Sequence, residues 1–110
     1  MIHYNKLVRD KIPEIIASYG KNYESKVIGG DKLLASLKLK LEEESAEFGE
    51  AHDPEELADI LEVVHGLAAC IGISINELEK IRLAKVESNG GFEKGIFLVP
   101  ADPKGCAWSF

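Results

Sequence analysis

The sequence predicts an all-α fold: an antiparallel helical bundle followed by a short C-terminal extended segment. Two observations carry that expectation. Apolar residues recur at helical spacing through residues 31–51 and again through 54–71. The breaks between these runs are only a few residues long, and short links make successive helices antiparallel neighbours. No internal repeat or low-complexity stretch interrupts the 110 residues, so residues 1–110 are expected to form a single domain.

Residues 4–11 read as a basic extended segment, with Lys6, Arg9 and Lys11, leading into a first short helix. Pro13 suits the first turn of that helix, where its missing N–H is no loss, and Gly20 ends it. Residues 27–30 (Val-Ile-Gly-Gly) form a turn, after which Asp31 is the expected cap of a long second helix reaching about Ala51. His52-Asp53-Pro54 breaks the chain. Asp53 as N-cap with Pro54 at the first helical position then starts a third helix, which runs to about Ile71 and stops at Gly72. Ser74 and Glu77 have the S-x-x-E form of a capping box, predicting a fourth helix to about Ser88 that Asn89-Gly90-Gly91 terminates. Ile96-Phe97-Leu98-Val99 is a short strand or an extended arm, and the tail with Pro100, Pro103 and Gly105 has little regular character.

Composition narrows the function. Thirteen basic against nineteen acidic residues leave a net charge of −6, and hydrophobic residues at 45% fit a globular chain rather than a disordered one. An acidic protein repels a nucleic-acid backbone, so no polymeric nucleic acid is expected as a partner. Cys70 and Cys106 lack the spacing of a disulfide framework or a zinc clamp, which predicts a reduced, cytoplasmic setting. The opening residues lead into charge rather than an apolar block, so no secretory leader is expected. The longest apolar stretch, near residues 63–75, is too short to cross a membrane.

The acids are placed unusually. Leu34, Leu37, Leu41 and Phe48 define the buried stripe of the second helix, and the stripe position between Leu41 and Phe48 is Glu44. Glu47 flanks the stripe and converges with Glu44, three residues away, while Glu43 lies further round. On the third helix, Leu57, Ile60, Leu61, Val64, Ala68 and Ile71 carry the main apolar face. Glu56 and Asp59 share an edge with Val63 and Leu67. Antiparallel packing then brings Glu44 and Glu47 to Glu56 and Asp59 near the turn. Several ionised carboxylates in a partly buried place repel one another unless a cation intervenes, and all-oxygen ligation suits Mg²⁺. Lys38 and Lys40 lie a turn or more away and are expected to face solvent. Glu42, Glu50 and Glu55 read as ordinary solvated helix surface.

Glu43-Glu44-Ser45-Ala46-Glu47 followed by Glu56-Leu57-Ala58-Asp59 resembles the E-E-x-x-E … E-x-x-D signature of the all-α nucleoside triphosphate pyrophosphohydrolases, which include MazG-like enzymes and phosphoribosyl-ATP pyrophosphohydrolase. The flanking Tyr4-Asn5-Lys6-Leu7-Val8-Arg9-Asp10-Lys11-Ile12-Pro13 and Gly90-Gly91-Phe92-Glu93-Lys94 are similar to a house-cleaning subgroup, so the resemblance spans about residues 4–99. It implies a MazG-like helical fold, Mg²⁺ dependence with Mn²⁺ as a substitute, and cleavage between the α and β phosphates to a nucleoside monophosphate and pyrophosphate. It also implies a homodimer or higher homo-oligomer that completes the bundle. Two features depart from the pattern: the gap between the acidic pairs is short, and Gly95 stands where the subgroup has a basic residue.

Glu44, Glu47, Glu56 and Asp59 are the expected metal ligands. Glu43 and Glu44 are the expected catalytic pair, with Glu43 either a further ligand or the group that orients and deprotonates the attacking water. Lys85 on the stripe of the fourth helix with Leu78 and Ile81, Arg82 bordering it, and Lys6 and Arg9 of the opening motif are the candidate phosphate contacts. Trp108 and Phe110 either stack on a base or pack on a neighbouring subunit. Two rivals start from the same sequence. Glu62-Val63-Val64-His65 is an E-x-x-H, the ligand pair of di-iron helical bundles, and would imply an oxidoreductase that needs a dimer to complete its site. A non-catalytic regulatory or interaction bundle is the other.

Overall fold

A computed structural model describes residues 6–99; Tyr4, Asn5, Cys106, Trp108, Phe110 and the rest of the tail lie outside the described residues. The described chain is all-helical, with α1 (Ile12–Ser18), α2 (Gly30–Ala51), α3 (Pro54–Cys70) and α4 (Ile75–Asn89) and no strand among those residues. It divides after Leu78 into two compact units. The first holds α1, α2 and α3. The second holds α4 from Glu79 onward and the segment that follows it.

Local chemistry sets most of the boundaries. Pro13 stands at the start of α1, and Gly20 takes a left-handed φ of +73° just beyond its end. Asp53 caps α3 as expected, its side-chain oxygen accepting from the Glu55 N–H at 3.1 Å. At the far end of α3, the Gly72 N–H bonds the Ala69 carbonyl and the Ile73 N–H bonds Ala68, with Gly72 at φ +77°. That is a Schellman closure. Ser74 caps α4 by accepting from the Glu77 N–H at 3.1 Å. The start of α2 differs from expectation: Gly29 is the extended cap residue and Asp31 lies inside the first turn. Gly30 takes φ +56°, so the chain swings into the helix one residue early, and Asp31 instead meets the positive end of the helix dipole.

α2 and α3 form an antiparallel hairpin joined by His52 and Asp53 alone. His52 adopts a left-handed conformation at φ 52°, and its ring tilts against Phe48 with centroids 5.7 Å apart. Among the described residues the buried apolar side chains are Leu37, Val63 and Ala68. Leu37 lies directly over Gly66: a Cβ there would fall 3.1 Å from Leu37 Cδ2. The face of α3 that meets α2 is therefore the one with Asp59, Val63 and Gly66. Of the expected main apolar face, Ala68 is buried and Ile60 and Val64 are half-buried, whereas Leu57, Leu61 and Ile71 are exposed. The glycine lets the backbones approach on that side, where a leucine face would hold them apart.

Every residue of α4 except Leu78 is exposed, including Ile81, Leu83 and Val86. Residues 95–99 adopt neither helix nor strand, and Ile96, Phe97, Leu98 and Val99 are exposed.

Candidate metal centre

Glu44 occupies the centre of the hairpin. It is 6% exposed, the one buried charged residue described, because its stripe position points at α3 as Leu37 does two turns earlier. One carboxylate oxygen, Oε1, meets Lys40 Nζ at 3.1 Å. The other, Oε2, is shielded from solvent and has no hydrogen-bond partner, and the same holds for Glu56 Oε2. Glu44, Glu56 and Asp59 each offer an oxygen, and the three oxygens lie within 4.8 Å of one another. Glu47, exposed on the next turn of α2, sets its carboxylate against Glu56.

The electrostatics follow from that crowding. Burial, then the neighbouring carboxylates of Glu47 and Glu44, push the Glu56 carboxyl up to about 7. Glu43 behaves oppositely. Lys6 at 3.1 Å and Lys40 at 3.2 Å hold its two oxygens, and these bonds keep its carboxyl below the usual range. Glu43 therefore stands outside the trio, as a bridge between α2 and the arm that precedes α1.

Lys40 corrects the expectation that it would face solvent. Its side chain is only 19% exposed and spans Glu43 and Glu44. Burial works against its charge, but the bonds from Glu44 and Glu43 outweigh that and raise its pKa. The i to i+3 and i to i+4 spacings were the signal: one turn away on a helix is contact distance.

Arg9 reaches Asp59 across 50 positions of sequence, with Nη2 2.6 Å from Oδ1. A cavity of about 850 Å³ opens between the arm and the hairpin. Its lining combines charged side chains, among them Arg9, Lys40, Glu44, Asp59 and Glu62, with the apolar Leu34, Leu37 and Val63. Glu62 thus lines the cavity, while neither it nor His65 belongs to the acidic trio. Arg82 and Lys85 stand on α4 in the second unit. There Arg82 is gripped by Glu79 through Nε at 2.9 Å and through Nη2, and Lys85 is exposed.

Glu44, Glu56 and Asp59 thus form an all-oxygen cluster that could hold a hard metal ion, with an unpartnered oxygen on both Glu44 and Glu56 and no nitrogen or sulfur in the trio. No single helix among the described residues is long and apolar enough to cross a membrane. The chain matches no protein-family model, no curated protein and no solved structure.

Proposed function

We propose that this protein is a Mg²⁺-dependent nucleoside triphosphate pyrophosphohydrolase that cuts between the α and β phosphates, releasing a nucleoside monophosphate and pyrophosphate. The observation that carries the proposal is Glu44: a buried carboxylate with one oxygen unpartnered, clustered with two further acids. Leaving such a group unmatched is costly, and a hard cation removes the cost. The family resemblance of the two acidic motifs supplies the reaction.

Glu44, Glu56 and Asp59 would hold the ion, with Glu47 adjoining through Glu56. When bound, Mg²⁺ or Mn²⁺ supplies positive charge to phosphate oxygens and acidifies a water. The chain's own groups do the rest. Lys40 offsets the charge of Glu43 and Glu44 and holds Glu44 Oε1, leaving Oε2 for the ion. Arg9 and Lys6 bring cations to the same edge, where a polyphosphate would meet them. Glu43, fixed by two lysines, is suited to orient a water by hydrogen bonding; its lowered pKa makes it a weak proton acceptor. The apolar side chains of the cavity lining would receive the base.

The protein is further proposed to work in the cytoplasm as a homodimer or larger homo-oligomer, with the α2–α3 hairpin paired into an antiparallel MazG-like bundle. The open apolar face of Leu57 and Leu61 supports that pairing. The direct test is a nucleotide panel assayed with Mg²⁺ for pyrophosphate release. Glu44→Gln is expected to lose at least about a hundredfold in turnover, as removal of one charged group from an electrostatic site does. Orthophosphate as the first product would move the cut to another bond, and full activity in Glu44→Gln would remove that residue from the chemistry.

A further inference from the structure

The arm before α1 lays two cations across the acids of the hairpin, and the two contacts differ in kind. Lys6 binds Glu43, which stands outside the trio, whereas Arg9 binds Asp59, which belongs to it. The Lys6 contact is compatible with any occupant of the trio. The Arg9 guanidinium, by contrast, sits against a carboxylate that a divalent ion needs. Two cations at one carboxylate repel whichever oxygen each uses, and by linkage each weakens the other's binding equally. A polyphosphate reverses that sign. Its oxygens accept the planar guanidinium N–H groups and also bind the ion, so that Arg9 and the ion then share one anion instead of contesting one. Arg9 and Asp59 both line the cavity, so the guanidinium can pass from carboxylate to phosphate without leaving it.

We propose that Arg9 is an electrostatic gate, holding Asp59 against a bare divalent ion and releasing it to one that arrives with a polyphosphate. This rests on the metal site of the proposed function and describes how that site is regulated. The consequence is selectivity for the metal–polyphosphate pair over the free metal, set by an arm residue rather than by a ligand.

The test uses Mn²⁺ as probe on the full chain, following the free-ion electron paramagnetic resonance signal, first alone and then with imidodiphosphate. Arg9→Gln is expected to bind Mn²⁺ alone about three- to tenfold more tightly, which lies within the range of an exposed ion pair doubled for a divalent charge. At saturating Mn²⁺ the same variant is expected to bind imidodiphosphate about tenfold more weakly. Lys38→Gln makes the same change in net charge on an exposed position of α2, and Arg9→Lys keeps the charge on the arm. Both are expected to bind Mn²⁺ alone within about twofold of wild type, which separates a local charge from a global or folding effect. Unchanged or weaker Mn²⁺ binding by Arg9→Gln overturns the gate, and so does equal tightening by Lys38→Gln, while the metal site itself survives either result. Absence of Mn²⁺ binding in both wild type and Arg9→Gln would overturn the metal site and the gate together.

Discussion

Glu44 and Glu56 show how one site divides its carboxylates by environment. Glu44 has a lysine one turn behind it on its own helix, while Glu56 has only other acids around its shielded oxygen. That difference makes pH a probe of Glu56. Its folded-state value, about 7, lies above the ordinary 4.5, so the folded chain holds this proton more tightly than the unfolded chain does. The stabilisation is complete below about pH 4.5 and is lost as pH rises through about 7. Glu43 has the opposite sign: its lowered value favours folding above the ordinary range and loses that contribution as the solution is acidified. Thermal melts in chelator are therefore expected to fall from pH 5.5 to 8. Added Mg²⁺ should flatten the slope by replacing the proton, and Glu56→Gln should remove it. A wild-type melting temperature that is level across this range would contradict the crowding of Glu56.

At the scale of elements, the close approach of α2 and α3 at Gly66 sets the spacing of the acids. Asp59 lies two turns from Gly66 on the same face of α3, as Glu44 lies two turns from Leu37 on α2. Gly66→Val would drive a branched side chain into Leu37, costing about 1–3 kcal/mol and spreading the hairpin where the trio forms. Asp53→Ala removes the α3 cap at a similar cost of about 1 kcal/mol without touching that contact. Urea unfolding should therefore find both variants destabilised, whereas Mn²⁺ affinity should fall in Gly66→Val alone. Much of the hairpin was legible in advance because caps and breaks are local: Asp53, Pro54, Gly72 and Ser74 each act within a turn of where they stand. The approach of Glu44 to Glu56 and Asp59 was legible from their spacing and the short link, while Glu47 meets Glu56 from outside that trio. The packing face of α3 was legible only in part: Ala68 is buried as expected, but Leu57 and Leu61 are open. Its apolar residues extend over more than one stripe, and the choice between stripes was made by a glycine that presents no side chain to count. The Arg9–Asp59 pair was out of reach for a different reason: nothing local in either segment specifies a contact 50 positions away.

At the scale of the whole molecule, the balance between buried and open apolar surface becomes the governing quantity. A 22-residue and a 17-residue helix enclose Leu37, Val63 and Ala68, while Leu39, Leu57, Leu61 and Ile71 of the same hairpin remain exposed. Exposed apolar side chains keep their hydration cost, so the open face is where the proposed homo-oligomer would gain stability. In the proposed pairing a second copy covers that face with matching surface, because a twofold axis presents the same apolar stripe from both sides. Leu57 and Leu61, one turn apart on α3, are the place to test it. Sedimentation at micromolar concentration is expected to give twice the 12.1 kDa chain mass or a larger multiple, with a melting temperature that rises with protein concentration. Leu61→Glu should shift the species toward the monomer and lower that temperature, since a charge at a self-paired position meets its own copy. Replacing Glu42, an exposed residue of α2, with lysine should leave the assembly intact. A Leu61→Glu protein that sediments as wild type would place the contact elsewhere. A concentration-independent melt would show that the hairpin stands alone, and the cost of its open leucines would then have to be met within one chain.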